Sequence, residues 1–135
     1  YLKPYAAVRH VHYGAAAALV LRKEIGDRLD EIRGIELSTY AEALAYCGNR
    51  APRSAIQAQF SLSYGVACVL VTGELVPDSY ALQLLGNPEI NRLEARIELA
   101  EDPSLIQVGG IDTGQGVMLV LATTLFLTLI FIVFA

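Results

Sequence analysis

Hydrophobic and polar positions change their spacing several times along the chain, and each change marks an element. Ala15 to Ala18, with Leu19, Val20 and Ile25 on one side, predict a helix from about His12 to Ile25. Arg22 and Lys23 suit the negative end of its dipole, and Gly26-Asp27 stops it. Residues 1–11 read as an extended entry, because Pro4 disfavours helix at Lys3. From Ile32 to Tyr40 the period is two, Ile35 and Leu37 alternating with Glu36 and Ser38, which predicts a strand. A short helical turn over 41–47 and a loop from Gly48 to Pro52 follow. Ser54 is a plausible N-cap for a long helix running to Thr72, apolar from Phe60 to Val71 and ended by Gly73. Asp78 caps a short helix through Leu85, and Asn87 caps another with Pro88 at its first position. Ala95 to Leu99 alternates as a second strand. Such an order predicts an α+β fold, a small sheet with helices packed on it.

After Asp102-Pro103 the character changes. Residues 105–116 read as a Gly-rich linker, and the 20 residues from Gly116 to Ala135 carry no charge. At about 1.5 Å per residue such a run just spans a hydrocarbon core of about 30 Å. Three readings stand side by side: a transmembrane helix, a spurious end, or a buried core element, for which the Thr, Val and Ile content suits a strand. The expected division is a lobe over 1–104, the linker, and an apolar tail over 117–135 that packs poorly on the lobe.

The 135 residues give room for one domain, and the start at Tyr1 suggests that residues upstream are missing. A net charge of -4 leaves no basic footprint for nucleic acid. Cys47 and Cys68 are too few and too far apart for a disulfide framework or a zinc site, and suit a reduced compartment. No secretory signal opens the chain.

Candidate chemistry concentrates at the start, where Lys3, Tyr5, Arg9, His10 and His12 fall within ten residues. Arg9 can bind a carboxylate with two parallel hydrogen bonds, Lys3 adds a point charge, and a histidine moves a proton near neutral pH. The competing account is a solvated loop leading into a helix. His10-x-His12 lacks a nearby third ligand, so no metal is expected. Tyr46 and Tyr64 are candidate proton donors, but a free Tyr needs strong tuning from about 10, and a structural role is the commoner case. Gly34, Gly48 and Gly65 form no phosphate-binding fingerprint.

Lys3-Pro4-Tyr5, Arg9 and His12, opening an Ala-rich helix, resemble a segment of the MmgE/PrpD family, which includes 2-methylcitrate dehydratase, cis-aconitate decarboxylase and iminodisuccinate epimerase. Glu31 to Leu37 resembles a family strand, Ala58 to Ala67 its Phe-Ser-Leu helix ending near Gly73, and Asn87 to Leu99 its closing helix and strand. Across roughly residues 2–102 the chain looks like the family's C-terminal α/β lobe. Ala6-Ala7-Val8 stands where the family usually has Pro-Cys-Cys, and Ala16 where an Asp often stands. The resemblance implies a cofactor-independent lyase acting on small di- or tricarboxylates, completed by a helical domain not present here and acting as a homodimer. It implies catalytic roles for Lys3, His12 and Tyr46, while the cluster itself is expected to bind substrate carboxylates at Lys3, Arg9 and His10, with Lys3, in an extended segment, the binding group and His12, at a helix start, mainly structural. The fragment is expected to be inactive alone, and its parent to be cytoplasmic or mitochondrial, with membrane attachment if the tail is genuine. An epimerase of the same family and a non-catalytic membrane-tethered module are the alternatives.

Overall fold

The structure is a computed structural model that describes residues 3–103, 117–123 and 126–134. Its first helix, α1 (Arg9–Ile25), begins three residues before the Ala-rich pattern suggests. Val8 has no capping side chain, so no local signal marks that start; the burial of Val11, Ala15, Ala18 and Leu21 draws the first turns into the core. A 3-10 turn (Arg28–Glu31) leads into β1 (Ile32–Thr39), and α2 (Ala41–Cys47) follows at once.

The long helix expected from Ser54 to Thr72 is two helices, α3 (Ala55–Gln59) and α4 (Leu62–Thr72). Ser54 caps the first, accepting from Gln57 N at 3.4 Å. Ser61 is extended and caps the second, accepting from Tyr64 N at 3.1 Å while its hydroxyl donates to the Asn49 carbonyl at 2.7 Å. A buried hydroxyl tied to a distant loop therefore breaks a run that is apolar on both sides. Gly73 ends α4 in the left-handed region, at φ 83.

Asp78 lies within a 3-10 turn (Pro77–Tyr80) and caps nothing; α5 (Leu82–Leu85) is a single turn. In α6 (Pro88–Ala95) the expected cap is present, Asn87 Oδ1 accepting from Glu89 N and Ile90 N at 2.9 and 3.1 Å. That helix runs on through Ala95, so β2 begins later than its pattern suggests, at Ile97–Glu101.

β1 and β2 pair in parallel, Ile35 opposite Ile97 through Thr39 opposite Glu101. The apolar tail supplies β3 (Val117–Thr123) and β4 (Phe126–Phe134), and the strand order is β2-β1-β4-β3. β4 runs antiparallel to β1, with Leu37 opposite Ile130 and Ile35 opposite Ile132. The expected loosely packed tail is thus corrected. β1 is paired by β2 along one edge only, and the unpaired backbone groups of its other edge need a strand. The Thr-, Val-, Ile- and Phe-rich tail has the side chains for one. Ile132 is buried, and the Arg28 guanidinium lies 4.3 Å from the Phe134 ring centroid. Among the described residues no helix is long and apolar enough to cross a membrane. The expected linker, 105–116, lies outside the described residues.

α4 is buried along Leu62–Leu70 and packs between α1 and α6, while α1 also lies against β3 and β4. The α1–α4 contact is reciprocal. Val11 of α1 sits over Gly65 of α4, and Val66 of α4 sits over Gly14 of α1. A Cβ on Gly65 would meet Val11 Cγ1 at 2.6 Å, and one on Gly14 would meet Val66 Cγ2 at 3.1 Å. The two glycines let the backbones approach and fix the height of α1, and with it the chain entering α1.

Candidate functional site

Residues 3–8 form a strap across the ends of the helices. Ala6 N donates to the Leu75 carbonyl at 3.0 Å and Val8 N to the Gln59 carbonyl at 3.3 Å. Lys3, exposed at the start of the strap, lines a cleft of about 480 Å³ with Ala7, Gln59, Asp78 and Tyr80 among its walls. At the other end of the strap the chain turns into α1, whose first residues are Arg9 and His10. Arg9 is exposed and its Nε donates to the Tyr13 hydroxyl at 3.4 Å, one helical turn on.

His10 is half-buried beside the β1–α2 junction. Its Nδ1 lies 2.5 Å from the Tyr40 hydroxyl, and its ring is nearly parallel to that of Tyr46, with centroids 5.8 Å apart and planes 11° apart. Tyr46 is 66% exposed. Tyr40 is 1% exposed, and desolvation, then the neighbouring Tyr13, Cys47 and Glu42, push its phenol well above the ordinary value while Arg9 pulls the other way. Burial pushes the Cys47 thiol up to about 11, which leaves it a protonated packing residue.

His12 is buried under the strap. Its Nε2 is 3.0 Å from the Ala7 carbonyl, which can only accept, so Nε2 carries the proton. The Tyr5 and His12 rings meet edge to face at 5.5 Å, and among the described residues Nδ1 is buried without a hydrogen-bond partner of good geometry. Desolvation lowers its basicity, the Ala7 carbonyl and the Tyr5 backbone oppose that, and the positive charges of Lys3 and Arg9 lower it further. A neutral imidazole that ties the strap to α1 fits this environment.

The structure thus divides the sequence candidates. Lys3 faces the cleft, Arg9 and His10 share the first turn of α1, Tyr46 stands beside His10, and His12 lies beneath. Tyr64 joins none of them, for it is buried in α4 and donates to the Ser79 carbonyl at 2.6 Å. Sequence reasoning passed over Tyr40, which is 30 positions from the ring it touches and has no local signal beyond its place at the end of a strand. Among the described residues no three His, Cys, Asp or Glu side chains are grouped as metal ligands.

A second polar cluster holds the loop after α2. Glu94, 6% exposed, accepts from Ser63 Oγ at 2.6 Å and from Ala51 N at 3.2 Å, and pairs with Arg50 Nε at 3.2 Å. Arg50 also donates to the carbonyls of Glu94 and Ile97. Ala51, at φ 46, is held in a conformation few L-residues adopt. Every group in this cluster serves another, so it orders the loop between α2 and α3 and presents no free chemistry.

A comparison with curated proteins finds no match. The family model of the MmgE/PrpD C-terminal domain matches residues 5–113, which takes in Arg9, His10, His12, Tyr40 and Tyr46 and leaves Lys3 just outside. The match covers most of the chain and agrees with the α+β architecture, so the chain belongs to the MmgE/PrpD family, of which it carries the C-terminal domain.

Proposed function

We propose that this domain supplies the carboxylate-binding half of the active site of a cofactor-independent lyase acting on small di- or tricarboxylates, of the 2-methylcitrate dehydratase or cis-aconitate decarboxylase type. The observation that carries the reading is the strap. It sets Lys3 at a cleft and Arg9 and His10 at the head of α1, and both cations are near enough to His12 to lower its basicity. Cations gathered on one short segment repel one another until an anion arrives, and a substrate with two or three carboxylates relieves that at several points at once. Arg9 offers a planar fork and Lys3 a mobile point charge, a suitable pair for two carboxylates on one small molecule.

In the complete enzyme a base removes a proton α to a carboxylate, or a proton is delivered to the carbanion left when carbon dioxide departs. Tyr46 is suited to deliver a proton because its side chain is exposed beside His10. Lys3 neutralises charge that develops on the substrate, and His12 holds the strap. The remaining groups come from a helical domain outside this chain, so the chain alone turns nothing over.

The test is calorimetric titration of the 135-residue chain with cis-aconitate. A half-site is expected to bind with Kd of about 1 mM, roughly −4 kcal/mol. Lys3→Ala and Arg9→Ala should each weaken binding about fivefold, or roughly 1 kcal/mol. Equal affinity in the parent and both variants would overturn the reading.

A further inference from the structure

The cleft beside the strap carries a second charge that the carboxylate reading leaves unused. Lys3, Gln59 and Asp78 all line it, Lys3 and Asp78 exposed and Gln59 half-buried. Tyr80 adds a buried wall whose hydroxyl is enclosed. Among the described residues none of the three polar side chains has a hydrogen-bond or ion-pair partner, so Lys3 and Asp78 do not neutralise each other. Backbone contacts hold the three in one frame. Val8 N donates to the carbonyl of Gln59 itself at 3.3 Å, and Ala6 N to that of Leu75, just before the turn that carries Asp78, at 3.0 Å. That turn is pinned through Ser79, whose carbonyl accepts from the Tyr64 hydroxyl at 2.6 Å and whose hydroxyl accepts from Val76 N at 3.0 Å. An ammonium only donates, a carboxylate only accepts, and an amide does both. A ligand with carboxylates alone therefore suits Lys3 and is repelled by Asp78, whereas one that also carries a donor suits both. An ammonium on the ligand would cancel part of the negative charge that Lys3 and Arg9 attract, so a hydroxyl is the better donor.

We propose that Asp78 is a specificity-determining residue that accepts a hydrogen bond from a substrate hydroxyl, and so selects hydroxylated di- or tricarboxylates over those without a hydroxyl. The proposal rests on the carboxylate reading above and narrows it to a reaction that starts from a hydroxy acid, the dehydratase type. In such a reaction a base takes the α-proton, the C–H electron pair becomes the double bond, and the C–O bond breaks. The departing hydroxyl takes its proton from another group, since Asp78 as a carboxylate accepts and does not donate. Asp78 thus acts on which substrate is held, and the proton transfers belong elsewhere.

Citrate and tricarballylate carry the same carboxylates and differ by one hydroxyl. Calorimetric titration of the full chain with each, at about pH 8, well above the ordinary carboxyl range, isolates that hydroxyl. Citrate is expected to bind about fivefold tighter, the effect of one hydrogen bond to a charged acceptor in a site open to water. In Asp78→Ala the two ligands should bind equally, with tricarballylate no weaker than in the parent. Asp78→Asn keeps an acceptor and removes the repulsion, so it should hold citrate as the parent does and bind tricarballylate more tightly. Equal affinity of the parent for the two ligands, or a citrate preference that survives in Asp78→Ala, would overturn the proposal and leave the carboxylate reading standing. No binding of either ligand by the parent would overturn both. Malate and aspartate, which exchange a hydroxyl for an ammonium on one skeleton, check the donor: aspartate bound more tightly than malate would also overturn the proposal. Should a variant fold poorly, the two comparisons in the parent decide.

Discussion

Gly65→Ala tests whether the α1–α4 approach sets the position of the site. The new methyl would stand 2.6 Å from Val11 Cγ1 and 3.6 Å from Leu75 Cδ2. Carbon atoms rest at about 3.5–4.0 Å, so the Val11 contact demands a retreat of about 1 Å. Val11 is wholly buried and its methyl lies one bond from Cβ, so a change of rotamer alone gives little relief. Overpacking of this kind costs about 1–3 kcal/mol. Against it stands the gain in helix propensity from Gly to Ala, about 1 kcal/mol. The clash wins, and the net loss should be about 1 kcal/mol. Val11→Ala alone, which removes two buried methyls, should cost about 2 kcal/mol. In that background the clash is gone and only the propensity gain remains, so adding Gly65→Ala should restore about 1 kcal/mol. The cycle therefore carries a coupling of about 2 kcal/mol, read from urea unfolding of the four proteins by circular dichroism. If Gly65→Ala stabilises the parent, or changes stability equally in both backgrounds, α1 is not held by this contact.

Glu94→Ala should destabilise by about 3 kcal/mol, the low end for breaking a buried ion pair, because the partly exposed Arg50 can rehydrate while buried Ser63 loses its acceptor; urea midpoints check it. Burial holds the basicity of His12 below its ordinary 6.5, so on acidification the unfolded chain takes the proton first. Stability present above about pH 6.5 is then lost as pH falls through the lower folded value, and His12→Asn should remove that part of the slope between about pH 7.5 and 5. In the complete enzyme proposed above, Lys3→Ala should cost about 2–5 kcal/mol of transition-state stabilisation in kcat/KM while His12→Asn lowers the thermal midpoint more than turnover. Near-parental turnover in Lys3→Ala, with loss in His12→Asn at unchanged stability, would reverse those roles.

What was legible in the sequence is what local chemistry decides. Ser54, Asn87 with Pro88, and Gly73 act within three residues of themselves, and each ends or starts a helix where its side chain or missing side chain requires. The break at Ser61 was not legible, because the carbonyl that orients its hydroxyl belongs to Asn49, across another helix. The tail shows the same limit on a larger scale. A continuous apolar run satisfies a helix or a buried strand equally, and the unpaired edge of β1, some 90 residues earlier, makes the choice. For the site, Lys3, Arg9, His10 and His12 were visible as a cluster and Tyr46 through resemblance. The Tyr40–His10 contact depends on where β1 ends relative to α1, which no pattern in either segment encodes.

The strap also explains why a buried neutral histidine belongs among exposed cations. Arg9 and Lys3 stand at opposite ends of residues 3–9, and on the carboxylate reading proposed above their separation is useful only if that segment keeps one shape before an anion arrives. Two backbone hydrogen bonds fix its middle, and His12 fixes its join to α1 through the Ala7 carbonyl. A charged imidazole there would add a third positive group beneath two others and would be stripped of water, so the fold favours the neutral form. The nearby cations that suit the segment to anions are thus among the forces that keep its anchor uncharged. An anion bound at Lys3 and Arg9 would reduce that penalty, so binding and His12 protonation are coupled, and carboxylate affinity should carry a pH dependence that His12→Asn removes.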